Sequence, residues 1–432
     1  MSWIARVQQV MKDPVRMVQL FMLCRQSGVL LSSIVIARYL PLDEVGSFEL
    51  LMLCGYLMTF FWSDAFLKGY LASSIPRDNP ATASTFLWLC ITLSLAAMGL
   101  LVLGQKVFLP LFVHRPSIEG LSLFALFQAL IIPVWMAPFI GLLKGRHSLV
   151  LSIYVLVGPT FACVAGWMSI PSLSGILIGL LSYALVGLIW VLLNSKFVRE
   201  LRLRIMFVEL WPATWPLIMY AVSIGIARSF DAWLVALHFD EASFAIFRYG
   251  AREFPLVIAF AAGLSTIMIP KLKGAEALGE LKLRSTRLMH LCYPFVAIVM
   301  LFSPLLFEQL FGIAYKESAL IFNIYLLLTL TQLVFPQSVL MARGGAKVLW
   351  YISLAELMVN VVASLVLLSY FGLIGIVWGT LIAFVFEKIV LLVFVRKKYG
   401  IQTSQLMNYP IFTGYAALLI VIFISTKWMF GI

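Results

Sequence analysis

Thirteen apolar runs, each of 18 or more residues, follow one another along the chain: about 17–37, 46–72, 84–104, 120–142, 148–170, 173–193, 212–235, 246–269, 288–307, 319–341, 348–370, 375–395 and 411–428. A helix needs roughly 20 apolar residues to cross the hydrocarbon layer of a bilayer. A soluble chain carries roughly a quarter of its residues as charges. Here 12% of the 432 residues are charged and 62% are hydrophobic, and the mean hydropathy is +1.03. One water-soluble core cannot absorb this much apolar surface, because soluble cores divide at about this length. The chain is therefore expected to be an all-α polytopic membrane protein. Its longest polar stretches, 194–211 and 271–287, leave no room for a soluble domain.

The basic residues set the expected orientation. With the N-terminus in the cytoplasm, 20 Lys and Arg fall in the inner loops, from Arg6 through Lys271 and Arg343 to Lys398. Only 4 fall outside: Lys106, Arg115, Lys316 and Lys427. Inner loops collect Lys and Arg, so the net charge of +12 reads as a topology signal and not as an affinity for nucleic acid. The tail after the thirteenth run is placed outside. All five cysteines, Cys24, Cys54, Cys90, Cys163 and Cys292, sit in apolar runs with no ligand spacing, and are expected to act as small buried hydrophobes.

The two halves echo each other. Leu40-Pro41-Leu42-Asp43-Glu44-Val45-Gly46-Ser47-Phe48 aligns with Leu237-His238-Phe239-Asp240-Glu241-Ala242-Ser243-Phe244-Ala245 at an offset of 197. Gly175 and Gly179 open the sixth run, and Gly375 and Gly379 open the twelfth, at an offset of 200. An even number of crossings between copies implies two six-helix lobes in parallel orientation, residues 1–200 and 201–400, with 401–432 as one additional helix and tail. Such duplications characterise transporters that bind substrate between their halves.

Seven basic residues remain within or at the edges of the runs: Arg25, Arg38, Lys68, Arg228, Arg248, Arg252 and Lys388. A mid-membrane charge costs about 2.5–3.5 kcal/mol on insertion scales and demands a reason. Asp64 with Lys68 and Arg228 with Asp231 have the spacing of local ion pairs. Arg38 can reach the headgroups, and Lys388 lies beside Glu387. Arg25 has no counter-charge among its helical neighbours. Arg248 and Arg252, four apart, would present two like charges on one helix face unless an anion lies between them. Guanidinium groups suit bidentate recognition of phosphate. A cationic cavity lined by Arg25, Arg248 and Arg252, with Lys68 and Arg228, would hold an anionic substrate. The alternative is pairing with acids on other helices, among them Glu49, Glu356 and Glu387.

Glu356 and Glu387, like Asp64 and Asp231, are candidates either for ion coupling or as counter-ions. Asp43 and Glu44 could be a catalytic acid pair at a membrane surface. Their recurrence as Asp240 and Glu241 favours a turn or capping role. Prolines inside the runs, among them Pro255 and Pro336, predict broken helices. There is no phosphate-loop motif, HExxH or Cys/His cluster, so no metal, cofactor or catalytic residue is expected.

On these residues the chain is similar to the polysaccharide-type exporters of the multidrug/oligosaccharidyl-lipid/polysaccharide (MOP) superfamily, the family of the Wzx-type O-antigen flippases. The carrying segments are Ala37-Arg38-Tyr39-Leu40 with the motif that follows, Ala227-Arg228-Ser229-Phe230-Asp231, Met341-Ala342-Arg343-Gly344-Gly345-Ala346-Lys347 and Phe371-Gly372-Leu373-Ile374-Gly375. The resemblance spans about residues 10–400. It implies alternating access by two six-helix lobes in a bacterial inner membrane. The implied cargo is an undecaprenyl-pyrophosphate-linked oligosaccharide, an O-antigen or exopolysaccharide unit. The implied surroundings are membrane lipids and other polysaccharide-assembly proteins. Cationic residues on helices one, two and eight line the cavity of related lipid II flippases; the matching positions are Arg25, Lys68, and Arg248 with Arg252. The departure is a single extra C-terminal helix where lipid II flippases have two. An ion-coupled antiporter of drugs or small solutes is the alternative transporter, and an integral-membrane polysaccharide-assembly enzyme is the alternative of another class.

Overall fold

The structure, a computed structural model, describes residues 14–72, 80–112, 118–140, 143, 146–195, 211–272, 274 and 277–430. Within its helices some side chains fall outside that description, among them those of Asp64, Lys68 and Arg228. The chain is an all-helical, multi-pass membrane protein, and each of the thirteen apolar runs carries helix. Its Cα packing defines two compact units, Met1–Ala245 and Ile246–Ile432.

The first unit contains α1 (Pro14–Tyr39), α2 (Leu42–Ala72), α3 (Pro80–Leu103), the short α4 (Gln105–Phe112), α5 (Leu121–Met136), α6 (Arg146–Ser169), α7 (Leu173–Asn194), α8 (Trp211–His238) and the start of α9 (Glu241–Gly250). Lipid tails are as apolar as leucine, so close packing of small residues must hold these helices together. Gly28 of α1 lies on the backbone of Val155 in α6, and Gly175 and Gly179 of α7 lie on Gly166 and Ala162 of α6. The division at 245 differs from the expected lobe boundary at 200, because α8 packs along α2. There Phe60 fills the space that a side chain at Gly225 would need, and Gly46 lies against Glu241. The amphipathic α4 was not anticipated as a separate element; Trp233 of α8 donates to the Leu111 carbonyl at its end at 2.8 Å.

The second unit continues with α10 (Pro255–Met268), α11 (Ala277–Phe311), α12 (Lys316–Leu327), α13 (Thr329–Gln332), α14 (Pro336–Ala342), α15 (Ala346–Tyr399), α16 (Thr403–Leu406) and α17 (Tyr409–Phe430). The 54-residue α15 is two crossings joined at Gly372, whose φ of 58° and ψ of −137° are open to glycine and strained for other residues. Its two limbs return on each other. Gly375 meets the backbone of Leu367, and Gly379 meets Ser364. Thus the glycines that repeat in sequence, 175/179 and 375/379, do the same work in both copies, seating a helix on the one before it. The additional helix α17 is built into this unit. Buried Asn323 of α12 accepts from Ser303 of α11 at 2.7 Å and donates to Thr426 of α17 at 3.4 Å, and Trp378 meets Phe423 edge-on at 5.8 Å. In the first turns of α11, Glu280 pairs with Arg284 at 2.7 Å and with Lys271 of the preceding loop at 3.0 Å.

Candidate functional site

In the first unit α1 carries Arg25, half-buried, with its guanidinium 5.3 Å from the ring centroid of Trp135 on α5. Its own helix offers no counter-charge, but a neighbouring helix supplies a π face. Such a contact is worth about 0.5–2 kcal/mol depending on desolvation. Nothing near Arg25 in sequence signals Trp135, since 110 residues separate them. The α2 helix is continuous through Asp64 and Lys68, which preserves their i, i+4 spacing, and α8 is continuous through Arg228 and Asp231. The side chains of Asp64, Lys68 and Arg228 lie outside the described residues; Asp231 is buried.

In the second unit Arg248 closes the last turn of α9, and residues 251–254 are not helical before α10 begins at Pro255. Proline disfavours helix in the residue before it, and Phe254 is extended at φ −77° and ψ 107°. The expectation that Arg248 and Arg252 share one helix face is therefore corrected: the helix ends between them. Arg252 instead turns back over Tyr249 with 4.7 Å to the ring centroid. Arg25, Arg248 and Arg252 all take part in further interactions, so none is an unsatisfied charge.

This break faces a second one. Residues 333–335 interrupt the tenth run before Pro336. Gln332 donates to Glu253 across the two breaks at 3.4 Å, and Ser265 and Ser338 are joined beyond them at 2.8 Å. Two discontinuous helices side by side give irregular backbone within an apolar run, an arrangement that membrane proteins tolerate where it is buried in protein or lines a watery cavity. Pro255 and Pro336 announced the breaks in the sequence; Gln332 carried no signal of its own.

The candidate acids Glu356 and Glu387 are half-buried on the two limbs of α15. Lys388 is 3.9 Å from the Glu387 carboxylate and donates to the Gln337 side-chain oxygen on α14. Glu44 is a cap: its carboxylate accepts from the backbone N–H of Leu173 at 2.5 Å, at the start of α7. Asp240 caps α9 by accepting from Ser243 N–H at 2.9 Å. Carboxylates there satisfy orphan donors and meet the positive helix end. Cys54, Cys90, Cys163 and Cys292 are buried and Cys24 is half-buried. Among the described residues no three His, Cys, Asp or Glu side chains are placed to hold a metal.

These features define a polytopic membrane protein with broken helices, basic residues within its apolar runs and an internally repeated packing pattern. No protein-family model matches the chain, and no curated protein matches it in sequence. Solved structures do. The lipid II flippase MurJ, in an inward closed conformation, superposes with a TM-score of 0.63 at 15% identity, over 95% of this chain and 92% of that one. A multidrug resistance MATE family transporter of the MOP superfamily, in an inward-facing conformation, gives 0.59 at 15% identity over 90% and 98%. The chain has the fold of the MOP superfamily transporters.

Proposed function

We propose that the protein is a flippase that moves an undecaprenyl-pyrophosphate-linked oligosaccharide, the repeat unit of an O-antigen or exopolysaccharide, across a bacterial inner membrane. Transport runs from the cytoplasmic to the outer leaflet by alternating access, with the N-terminus in the cytoplasm and the C-terminus outside. It performs no covalent chemistry and uses no cofactor. Its partners are the lipid-linked substrate, membrane lipids and the proteins of polysaccharide assembly.

One observation carries this assignment: Arg248 lies in the last turn before a break in a membrane segment and Arg252 lies within that break, in a fold shared with a lipid II flippase. Two arginines are expensive in an apolar run, and the start of a half-helix such as α10 carries partial positive charge. Both suit a pyrophosphate, whose paired oxygens match the planar guanidinium fork. Arg25 supplies a third guanidinium, steadied on Trp135, and Lys68 and Arg228 add charge. The rings of Trp135 and Tyr249 orient Arg25 and Arg252, and an arginine so held can exchange its other partners when the substrate headgroup arrives. Asp64, Asp231, Glu356 and Glu387 serve as counter-ions that keep the basic residues satisfied between transport cycles.

The likeness to a MATE transporter keeps an ion-coupled antiporter as the second reading. Deleting the gene separates the two. A flippase mutant loses surface polysaccharide and accumulates the lipid-linked unit inside; an antiporter mutant keeps its polysaccharide and gains drug sensitivity.

A further inference from the structure

The second unit holds a buried polar cluster around Lys388. In the α15 hairpin Gly375 meets Leu367, and Gly379 meets Ser364. Continuing that antiparallel register away from Gly372 brings Glu356, sixteen residues before the turn, level with Glu387 and Lys388, fifteen and sixteen residues after it. Ile352 and Leu391, next along the same register, share a buried apolar cluster with Leu340 of α14 and close the site toward the α15 ends. Lys388 is 8% exposed. Its ammonium donates to the Gln337 side-chain oxygen and stands 3.9 Å from Glu387, with Glu356 at the same level of the hairpin.

We propose that Lys388 is the resident cation of a monovalent-cation site: its ammonium occupies the position that a sodium-type ion would take between Glu356, Glu387 and Gln337. Two carboxylates and an amide oxygen from three helical segments form an all-oxygen donor set, the kind that hard cations select. A single surface ion pair would need one carboxylate and no amide. Burying an ammonium is costly unless it is paired and hydrogen-bonded, and this cluster meets both conditions. With the cation tethered, the α15 hairpin and α14 stay joined without an ion from solution. The inference is independent of which substrate is carried.

The test uses the purified full-length protein in detergent, melted in sodium chloride and in choline chloride at equal ionic strength. Wild type should melt at the same temperature in both. Lys388→Ala removes the ammonium and leaves the oxygens, so it should melt lower in choline and regain at least about 2 °C, saturably, as sodium replaces choline. Lys388→Ala with Glu356→Gln should lose that response. Lys388→Met, which keeps the apolar stem, should behave as Lys388→Ala does. A Lys388→Ala or Lys388→Met protein indifferent to sodium would overturn the proposal. So would a wild type stabilised saturably by sodium, since an ion and not the lysine would then fill the site. If neither lysine variant folds in either salt, Glu356→Gln alone decides. The proposal requires its melting temperature to fall equally in both salts, and a fall confined to choline would contradict it.

Discussion

Gly46 lies directly on the backbone of Glu241, and the two residues belong to the two copies of one repeated motif. The start of α2 thus touches the first residue of α9. A side chain at 46 has no space: a β-carbon there would overlap the Glu241 carbonyl and its side chain. Gly46→Val should cost about 1–3 kcal/mol through forced displacement of one turn, read as a lowered melting temperature in detergent. Gly99→Ala is the control, because nothing lies within 4 Å of a β-carbon at that position on α3. It should be neutral or stabilising by up to about 1 kcal/mol.

Glu44 caps a helix that begins 129 residues later in the chain, accepting from Leu173 N–H. Removing a capping acceptor costs about 0.5–2 kcal/mol, so Glu44→Ala should lower thermal stability by that amount while transport per folded molecule is retained. Glu44→Gln keeps an acceptor and should recover most of the loss. Complete loss of activity in a well-folded Glu44→Gln protein would mark the carboxylate as chemically active instead.

Asn323 ties the additional helix to the second unit by accepting from Ser303 and donating to Thr426. Both partners are buried and keep a carbonyl of their own helix, Met300 and Phe423, so each lost bond costs about 0.5–1.5 kcal/mol. Asn323→Leu should speed amide hydrogen exchange in residues 409–430 first and lower the melting temperature second. Unchanged exchange in α17 would show that this helix is held by its apolar contacts alone.

The fold was legible where periodicity and length suffice. Crossings of about 20 residues reveal themselves by hydropathy alone, and the repeated glycines at 175/179 and 375/379 correctly announced close helix pairs. The Asp43-Glu44 repeat announced capping, and Asp240 shows its local form; that Glu44 caps α7 was not legible, because Leu173 lies 129 residues away in the chain. Arg25, Arg248 and Arg252 stood out because charge is rare in apolar runs. Their partners did not, because Trp135 reaches Arg25 from another helix, and a proline-induced break rotated Arg252 away from the face that helical spacing assigned it. The Lys388 cluster was half legible. Its residues were visible singly, but only the return of α15 at Gly372 brings Glu356 level with the lysine.

The central claim is that arginines in the apolar runs hold the phosphates of a lipid-linked sugar, and reconstituted vesicles test it most directly. The measured quantity is the rate at which a fluorescent polyprenyl-pyrophosphate oligosaccharide crosses from one leaflet to the other. Charge-assisted hydrogen bonds are worth about 1.5–3 kcal/mol each, so Arg25→Gln, Arg248→Gln or Arg252→Gln should each slow flipping about tenfold or more. The corresponding lysine variants should fall in between, keeping the charge and losing the fork. Glutamine variants that fold as wild type does and flip the lipid at the wild-type rate would contradict the account.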